Sequence, residues 1–185
     1  MTEEITVSDW KRNRLTERLN LNVPIIQAPM AGASTPAMAT AVSRGGGLGS
    51  LGAGKQLPDK TRVDCQTIRA ETNGAYNLNF FAHEEPEVDL AQSESMREQI
   101  KPYFEEFGLK DVPTAEVTYE PFNENHLAAV LDMMPPVVSF HYGLPRADLF
   151  KAVKDAGLFT ISSATNLREA KELEVGGVDA IIAQG

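Results

Sequence analysis

The stretch PVVSFHYGLPRADLFKAVKDAGLFTISSATNLREAKELEVGGVDAIIAQG, residues 136–185, decides the fold. Three apolar runs of strand length, PVVSFHYG, LFTISSA and VDAIIAQG, are separated by two segments whose apolar residues recur at helical spacing. Pro145 begins the first predicted helix and Gly157 ends it, whereas Asn166 and Glu169 approximate a capping box for the second. This alternation of strands and helices predicts a parallel sheet built from βαβ units.

Three further strands are predicted nearer the amino terminus. They are PIIQAPM from Pro24 to Met30, GGLGSLGAG at residues 46–54, and YNLNFF from Tyr76 to Phe81. The first is apolar at nearly every residue, which is typical of a strand buried on both faces. Six strand-and-helix units are therefore expected within residues 23–185, and a short amphipathic helix within residues 1–22 is expected to cap them.

Two architectures suit alternating units of this kind, an open doubly wound sheet and a (β/α)8 barrel of the TIM type. The first strand-to-helix turn, PMAGASTP, has neither the G-x-G-x-x-G spacing of a dinucleotide fold nor the lysine of a phosphate-binding P-loop. The sequence therefore favours the barrel. A complete barrel takes about 250 residues, so a 185-residue chain with six units is expected to form a single, incomplete barrel domain.

Composition narrows the classes of function. A formal net charge of −9 and a pI near 4.8 argue against nucleic acid as a partner, because that partner requires a basic face. No apolar stretch approaches the roughly 20 residues of a membrane span, and the amino-terminal segment lacks the apolar core of a secretory signal. The single cysteine, Cys65, fits a reducing cytoplasm and is expected to be a structural or surface thiol. One cysteine and three scattered histidines predict no metal site.

Several segments together resemble the nitronate monooxygenase family. These are PIIQAPMAG, ATAVSRGGGLGSLGAG, NLNFF, VVSFHYGLP and VDAIIAQG, and their order and spacing span nearly all of residues 23–185. The FMN-dependent enoyl-acyl carrier protein reductases share a similar opening, but SFHYG is more similar to the monooxygenases.

The resemblance implies an oxidoreductase that binds FMN at the carboxyl-end mouth of the barrel and oxidises alkyl nitronates with dioxygen. It also implies a small-molecule substrate and no metal. The family's flavin contacts fall on the end of the first predicted strand, on the third and on the sixth: Ala28, Pro29, Met30, Ala31, Gly32, Asn79 and Gln184. The family continues past AQG into a loop that carries the catalytic histidine base, so the chain alone is expected to lack that base and to be inactive.

His141 is the histidine with the clearest case for function, because it ends a predicted strand between Phe140 and Tyr142. Together with the resemblance, this position favours a substrate-site role rather than that of the base, and the alternative is a core histidine with its hydrogen bonds satisfied. His83 and His126 are expected at the surface. For Asn79, the alternative to a flavin contact is a polar residue on the solvent side of an edge strand.

Two other functions stay open at this point. One is an FMN-dependent NAD(P)H oxidoreductase of the enoyl reductase or quinone reductase type. The other is an inactive barrel fragment that acts only as a binding or packing module. The bare sheet edges of an incomplete barrel also make self-association into a homo-oligomer an open alternative.

Overall fold

The strands of the sheet follow one another in space in the same order as in the chain. The computed structural model describes residues 9–85, 89–114 and 119–185. In this part of the chain five strands form one sheet in which each strand pairs in parallel with the next. The strands are β1 (Gly49–Gly52), β2 (Tyr76–Phe81), β3 (Val137–His141), β4 (Phe159–Ala164) and β5 (Ala180–Ala183).

This strand order distinguishes the two predicted architectures. A doubly wound sheet reverses its strand order at one point, which sends helices to both faces. Here the order never reverses, and right-handed crossovers therefore place the connecting helices on one face. The prediction of a TIM-type barrel with only part of its units is confirmed.

Helices precede the sheet and connect its strands. A 3₁₀ helix at Asp9–Lys11 comes first, followed by α1 (Arg14–Leu19), α2 (Pro36–Arg44), α3 (Pro58–Glu71), α4 (Leu90–Glu106), α5 (Glu124–Met133), α6 (Ala147–Asp155) and α7 (Leu167–Gly176).

Local sequence signals explain several helix starts. The Thr35 hydroxyl accepts a hydrogen bond from the Met38 N–H, and Pro36 fills the first turn of α2. The Asn166 side chain accepts from the Glu169 N–H and donates to its carboxylate, so the predicted start of α7 is correct.

The main core fills the space between the sheet and the helices. Alternate residues of the strands, such as Leu51, Leu78, Val138 and Phe140, belong to this core and pack against the connecting helices. The helices α2, α3, α5 and α6 pack side by side over this face. The intervening strand residues point to the opposite face, which would be the barrel interior.

A second, smaller cluster lies on that inner face. Leu48, Val137 and Ile161 meet there with Leu21, and Leu19 of α1 packs against them. The amino-terminal segment thus contributes apolar side chains to this end of the sheet. Trp10 does not, since it lies in the 3₁₀ helix and is 45% exposed.

The prediction of a strand from Pro24 to Met30 is wrong, because this segment does not form a strand of the sheet. Residues 24–30 make only one parallel bridge, Ile26 with Leu48, and Ile25 is 54% exposed rather than buried. The next ladder donor after the Gln27 N–H would be residue 29, but Pro29 has no N–H to give. The Gln27 side-chain amide bonds the Ser50 backbone instead, at 3.0 and 3.2 Å, and the chain turns away from the sheet.

The described chain divides into two compact units, one at Glu84–Tyr119 and the other formed by the rest. The smaller unit contains α4, whose first turn is capped by Asp89, and within it Arg97 donates to the Val112 carbonyl. None of the described helices has the length and apolar character needed to cross a membrane. The strands and the site described below belong to the larger unit.

Candidate active site

The carboxyl ends of the strands share one edge of the sheet, and the register places the predicted site residues there. Gly52 pairs with Asn79, and Asn79 pairs with Ser139. Two residues further along the same strands, Phe81 pairs with His141. The Gln184 N–H donates to the Ala164 carbonyl at 2.9 Å, just beyond the last residue of β5. Barrel enzymes keep their chemistry at this edge.

The turn at residues 28–34 lies against the end of β1. The Ser34 hydroxyl accepts from the Met30 N–H at 2.9 Å and donates to the Ala28 carbonyl at 3.3 Å, which closes the turn. A Cβ at Gly52 would lie 2.6 Å from the Ala31 nitrogen, so only glycine lets the turn approach this closely. Ala31 and Gly32 are exposed, and their N–H groups donate to none of the described residues. The turn therefore presents two backbone N–H groups to which no described residue is bonded.

A polar network lies beneath this edge, on the inner face of the sheet. The Ser139 hydroxyl accepts from Asn77 Nδ2 at 2.8 Å and from Asn79 Nδ2 at 2.9 Å, and Asn77 also donates to the Ser50 hydroxyl at 3.3 Å. Asn79 is 3% exposed on an inner strand, so the alternative of a solvent-facing residue on an edge strand is wrong. Asn77 Oδ1 is sealed from solvent without a partner among the described residues, and no described residue donates to Asn79 Oδ1.

His141 ends β3 and bonds across to the neighbouring strand. Its Nδ1 lies 2.7 Å from the Ser163 hydroxyl of β4, and its Nε2 bonds none of the described residues. Burial lowers the pKa of His141 below its ordinary value of 6.5, because the charged imidazolium loses hydration in the half-buried site. The imidazole is therefore neutral at pH 7.

A cavity of about 660 Å³ opens beside this imidazole. Its walls come from the ends of β3 and β4, from the segment after each, and from one side of α7. They consist of His141, Tyr142, Gly143, Leu144, Ser163, Thr165, Glu169, Glu172, Leu173 and Gln184. Two of the predicted site residues, His141 and Gln184, thus share one cavity. Asn79 and the turn at residues 28–32 lie at the same edge of the sheet but do not line this cavity.

The carboxylate of Glu169, in the cavity wall, accepts three hydrogen bonds from the loop after β4. It accepts from the Thr165 N–H at 2.7 Å, from the Thr165 hydroxyl at 2.9 Å and from the Asn166 side chain at 2.6 Å. These bonds lower the pKa of Glu169, the bond from the Thr165 backbone most of all. Glu169 therefore fixes the loop after β4 rather than serving as a base for a substrate.

Tyr142 stands at the mouth in a strained backbone conformation. Its φ of +68° lies in the left-handed region, which a residue with a Cβ enters only at a cost of about 1–2 kcal/mol. Its ring stacks on Phe81 with centroids 5.7 Å apart and meets the His83 ring at 6.4 Å. The prediction of a surface position for His83 misses this aromatic cluster, in which the imidazole is half-buried.

His126 is not a surface residue. It is 8% exposed in the first turn of α5, where its Nδ1 accepts from the Asn123 N–H and its ring lies against Phe122. Burial lowers its pKa, so it is a neutral, structural histidine. Cys65 is buried in the main core, which makes it the structural thiol of the two expected alternatives.

Ser163 and Ser34 are two polar residues of this edge that were not predicted from the sequence. Ser163 could have been found by following the alternation of β4, since Phe159, Ile161 and Ser163 share one face and the last of them ends the strand beside His141. Ser34 gives no such signal, because its partners are backbone groups of a turn that local sequence does not define.

A parallel sheet whose strand order never reverses, with polar side chains gathered at its carboxyl edge, defines a partial barrel of the TIM type. The family model for nitronate monooxygenase matches residues 12–185. The chain therefore belongs to the nitronate monooxygenase family, a family of oxidoreductases.

Similar proteins agree with this placement. A nitronate monooxygenase of Paraburkholderia phytofirmans is 43% identical over 176 residues, which cover 94% of this chain and 48% of the relative. One of Pseudomonas aeruginosa is 38% identical over 175 residues, 94% of this chain and 50% of the relative. The chain thus spans about half the length of these curated relatives.

Two solved structures share the fold. A nitroalkane oxidase from Streptomyces ansochromogenes superposes with a TM-score of 0.73 at 35% identity, over 92% of this chain and 48% of the other. FabK from Thermotoga maritima superposes with a TM-score of 0.69 at 26% identity, over 94% of this chain and 44% of the other.

Proposed function

We propose that this chain forms the flavin-contacting and substrate-contacting part of an FMN-dependent enzyme that oxidises alkyl nitronates with dioxygen. The observation that carries the proposal is the pairing of His141 with Ser163 in one cavity with Gln184, at the sheet edge that also holds Asn79 and the turn at residues 28–32. The names of the relatives and of the nitroalkane oxidase neighbour support the same chemistry.

The residues at this edge fit a flavin ring system. Its carbonyl oxygens and ring nitrogens require hydrogen-bond donors, and the free N–H groups of Ala31 and Gly32 are donors of this kind. The Asn79 side chain keeps one amide hydrogen and Oδ1 beyond its bond to Ser139, and Gln184 adds a second amide. Met30, 47% exposed beside the turn, offers a polarizable apolar surface for an aromatic ring.

FMN bound here would supply the redox chemistry, in which electrons leave the nitronate and reach dioxygen. The residues of the chain would then bind and orient. His141, neutral at pH 7, would contact a nitronate oxygen from the end of β3. The Tyr142 and Phe81 rings, stacked at 5.7 Å, would present an apolar wall to an alkyl group near the mouth.

Two substitutions separate the proposed roles of substrate contact and flavin contact. In a full-length form that carries the family's catalytic base, His141→Ala is expected to lower turnover of ethyl nitronate more than it lowers flavin content, because the imidazole contacts substrate in this proposal. Asn79→Ala is expected to do the reverse and to release FMN. Flavin absorbance per chain and dioxygen consumption measure the two effects.

Asn77→Ala is the matched control for Asn79→Ala. It removes a bond to the same Ser139 hydroxyl, but from a position two residues deeper in β2, so FMN should stay bound. Unchanged kinetics in the His141 variant would remove that residue from the site. A purified protein that binds no FMN would reject the proposal, and consumption of NADH without a nitronate would identify a reductase instead.

A further inference from the structure

The contact between His141 and Ser163 bears on which ring nitrogen of the imidazole carries the hydrogen. A neutral imidazole carries one hydrogen, on either Nδ1 or Nε2, and the partner of one nitrogen decides which. Here the Nδ1 atom faces the Ser163 hydroxyl at 2.7 Å, and no other described residue bonds either nitrogen. Ser163 therefore stands where it can select the tautomer.

The surroundings of Ser163 favour donation from its hydroxyl to Nδ1 of His141 over donation from Nδ1–H to its oxygen. Its hydroxyl has no other acceptor among the described residues, so a proton on Nδ1 would leave the serine proton to solvent in the cavity. Donation from the hydroxyl to Nδ1 leaves only serine lone pairs open, which is the cheaper arrangement. The carboxylates that line the cavity do not compete with Ser163 for the imidazole. Glu169 is hydrogen-bonded within its own loop, and Glu172 Oε1 lies 3.9 Å from Arg168 Nε.

We propose that Ser163 is a positioning residue whose hydroxyl donates to Nδ1 of His141 and holds the imidazole as the Nε2–H tautomer, with that N–H directed to the substrate. The ligand chemistry that this arrangement recognises is an anionic oxygen, because an N–H attracts such an oxygen and a bare nitrogen lone pair repels it. The identity of that oxygen as the one on a nitronate rests on the proposed function. The tautomer itself does not.

The tautomer is tested by long-range ¹H–¹⁵N correlation of the histidine rings in the ¹⁵N-labelled full chain. With three histidines in the sequence, the His141→Gln variant assigns the ring of His141. The wild-type spectrum is expected to show the proton on Nε2. Ser163→Ala should give a mixture of tautomers, and Ser163→Thr, which retains the hydroxyl and suits a strand, should restore the original pattern.

Ser162→Ala is the matched control, because Ser162 is the adjacent residue of β4 and loses a hydroxyl that bonds the Phe140 and Gly143 carbonyls instead. Its His141 tautomer should not change. A proton on Nδ1 in the wild type, or an unchanged pattern in Ser163→Ala, would overturn the proposal.

A kinetic measurement tests the role of the N–H toward substrate. In the flavin-loaded full-length form that carries the family's base, Ser163→Ala should raise the KM for ethyl nitronate by about tenfold at constant flavin content, as expected for a weakened hydrogen bond to a charged oxygen. An unchanged KM with an altered tautomer would overturn the donor role. A full-length form with the family's base that shows the expected tautomer but oxidises no nitronate would refute the proposed function and leave the positioning role of Ser163 intact.

Discussion

Ser139→Ala offers the sharpest test of the buried polar network. The substitution removes the oxygen that accepts from Asn77 at 2.8 Å and from Asn79 at 2.9 Å, and both amides are almost fully buried. Each buried donor left without a partner costs about 1–3 kcal/mol. The Asn77 amide retains its longer 3.3 Å bond to Ser50, so its loss belongs at the lower end of that range. We expect the free energy of unfolding to fall by ~2–4 kcal/mol.

Urea unfolding followed by far-ultraviolet circular dichroism measures this loss. A double-mutant cycle with Asn77→Ala isolates the bond between Asn77 and Ser139. For residues in direct contact, the sum of the two single-variant losses should exceed the loss in the double variant by ~0.5–3 kcal/mol. Ser162→Ala, which removes a buried hydroxyl that acts as a donor to two carbonyls, provides the reference on a neighbouring strand. If Ser139→Ala cost no more than Ser162→Ala, or if the cycle showed simple additivity, the network would not be the source of stability argued here.

Three other predictions concern single residues. Although burial raises the pKa of Asp179, the hydrogen bonds from Lys154 and from β4 outweigh it and lower that pKa. The stability from this carboxylate is thus present above the unfolded pKa of about 3.8 and is lost as the pH falls through the lower folded value. Asp179→Asn should therefore reduce the fall in the free energy of unfolding on the acid side, measured between pH 2 and 6. Gly52→Ala forces a Cβ to within 2.6 Å of the Ala31 nitrogen, so it should cost ~1–3 kcal/mol in urea unfolding and weaken FMN retention, and a wild-type flavin affinity would contradict the close packing of the turn. Burial raises the pKa of Cys65 to about 11, so its thiol should resist a disulfide reagent at pH 8 until urea unfolds the chain, and rapid labelling of the folded protein would refute its burial.

Much of the candidate site could be predicted because a parallel barrel places its residues by rule. Once a stretch is identified as a strand, its end lies at the shared carboxyl edge, and this rule placed His141 there, whereas Gln184 was singled out by the family resemblance. The predictions that failed concern side chains whose burial depends on tertiary packing. His126 looks polar and exposed in its own helix, but Phe122 and Phe80 cover its ring.

The sequence by itself determined the alternation of strands and helices, the helix start at Asn166, and therefore the class of fold, because these depend on residues within a few positions of one another. Only the tertiary structure decided that residues 24–30 leave the sheet after one bridge, since the missing N–H of Pro29 matters only opposite Ser50. It likewise decided the bond between His141 and Ser163, because a 2.7 Å contact across two strands depends on their register, and register is set by the packing of the whole sheet.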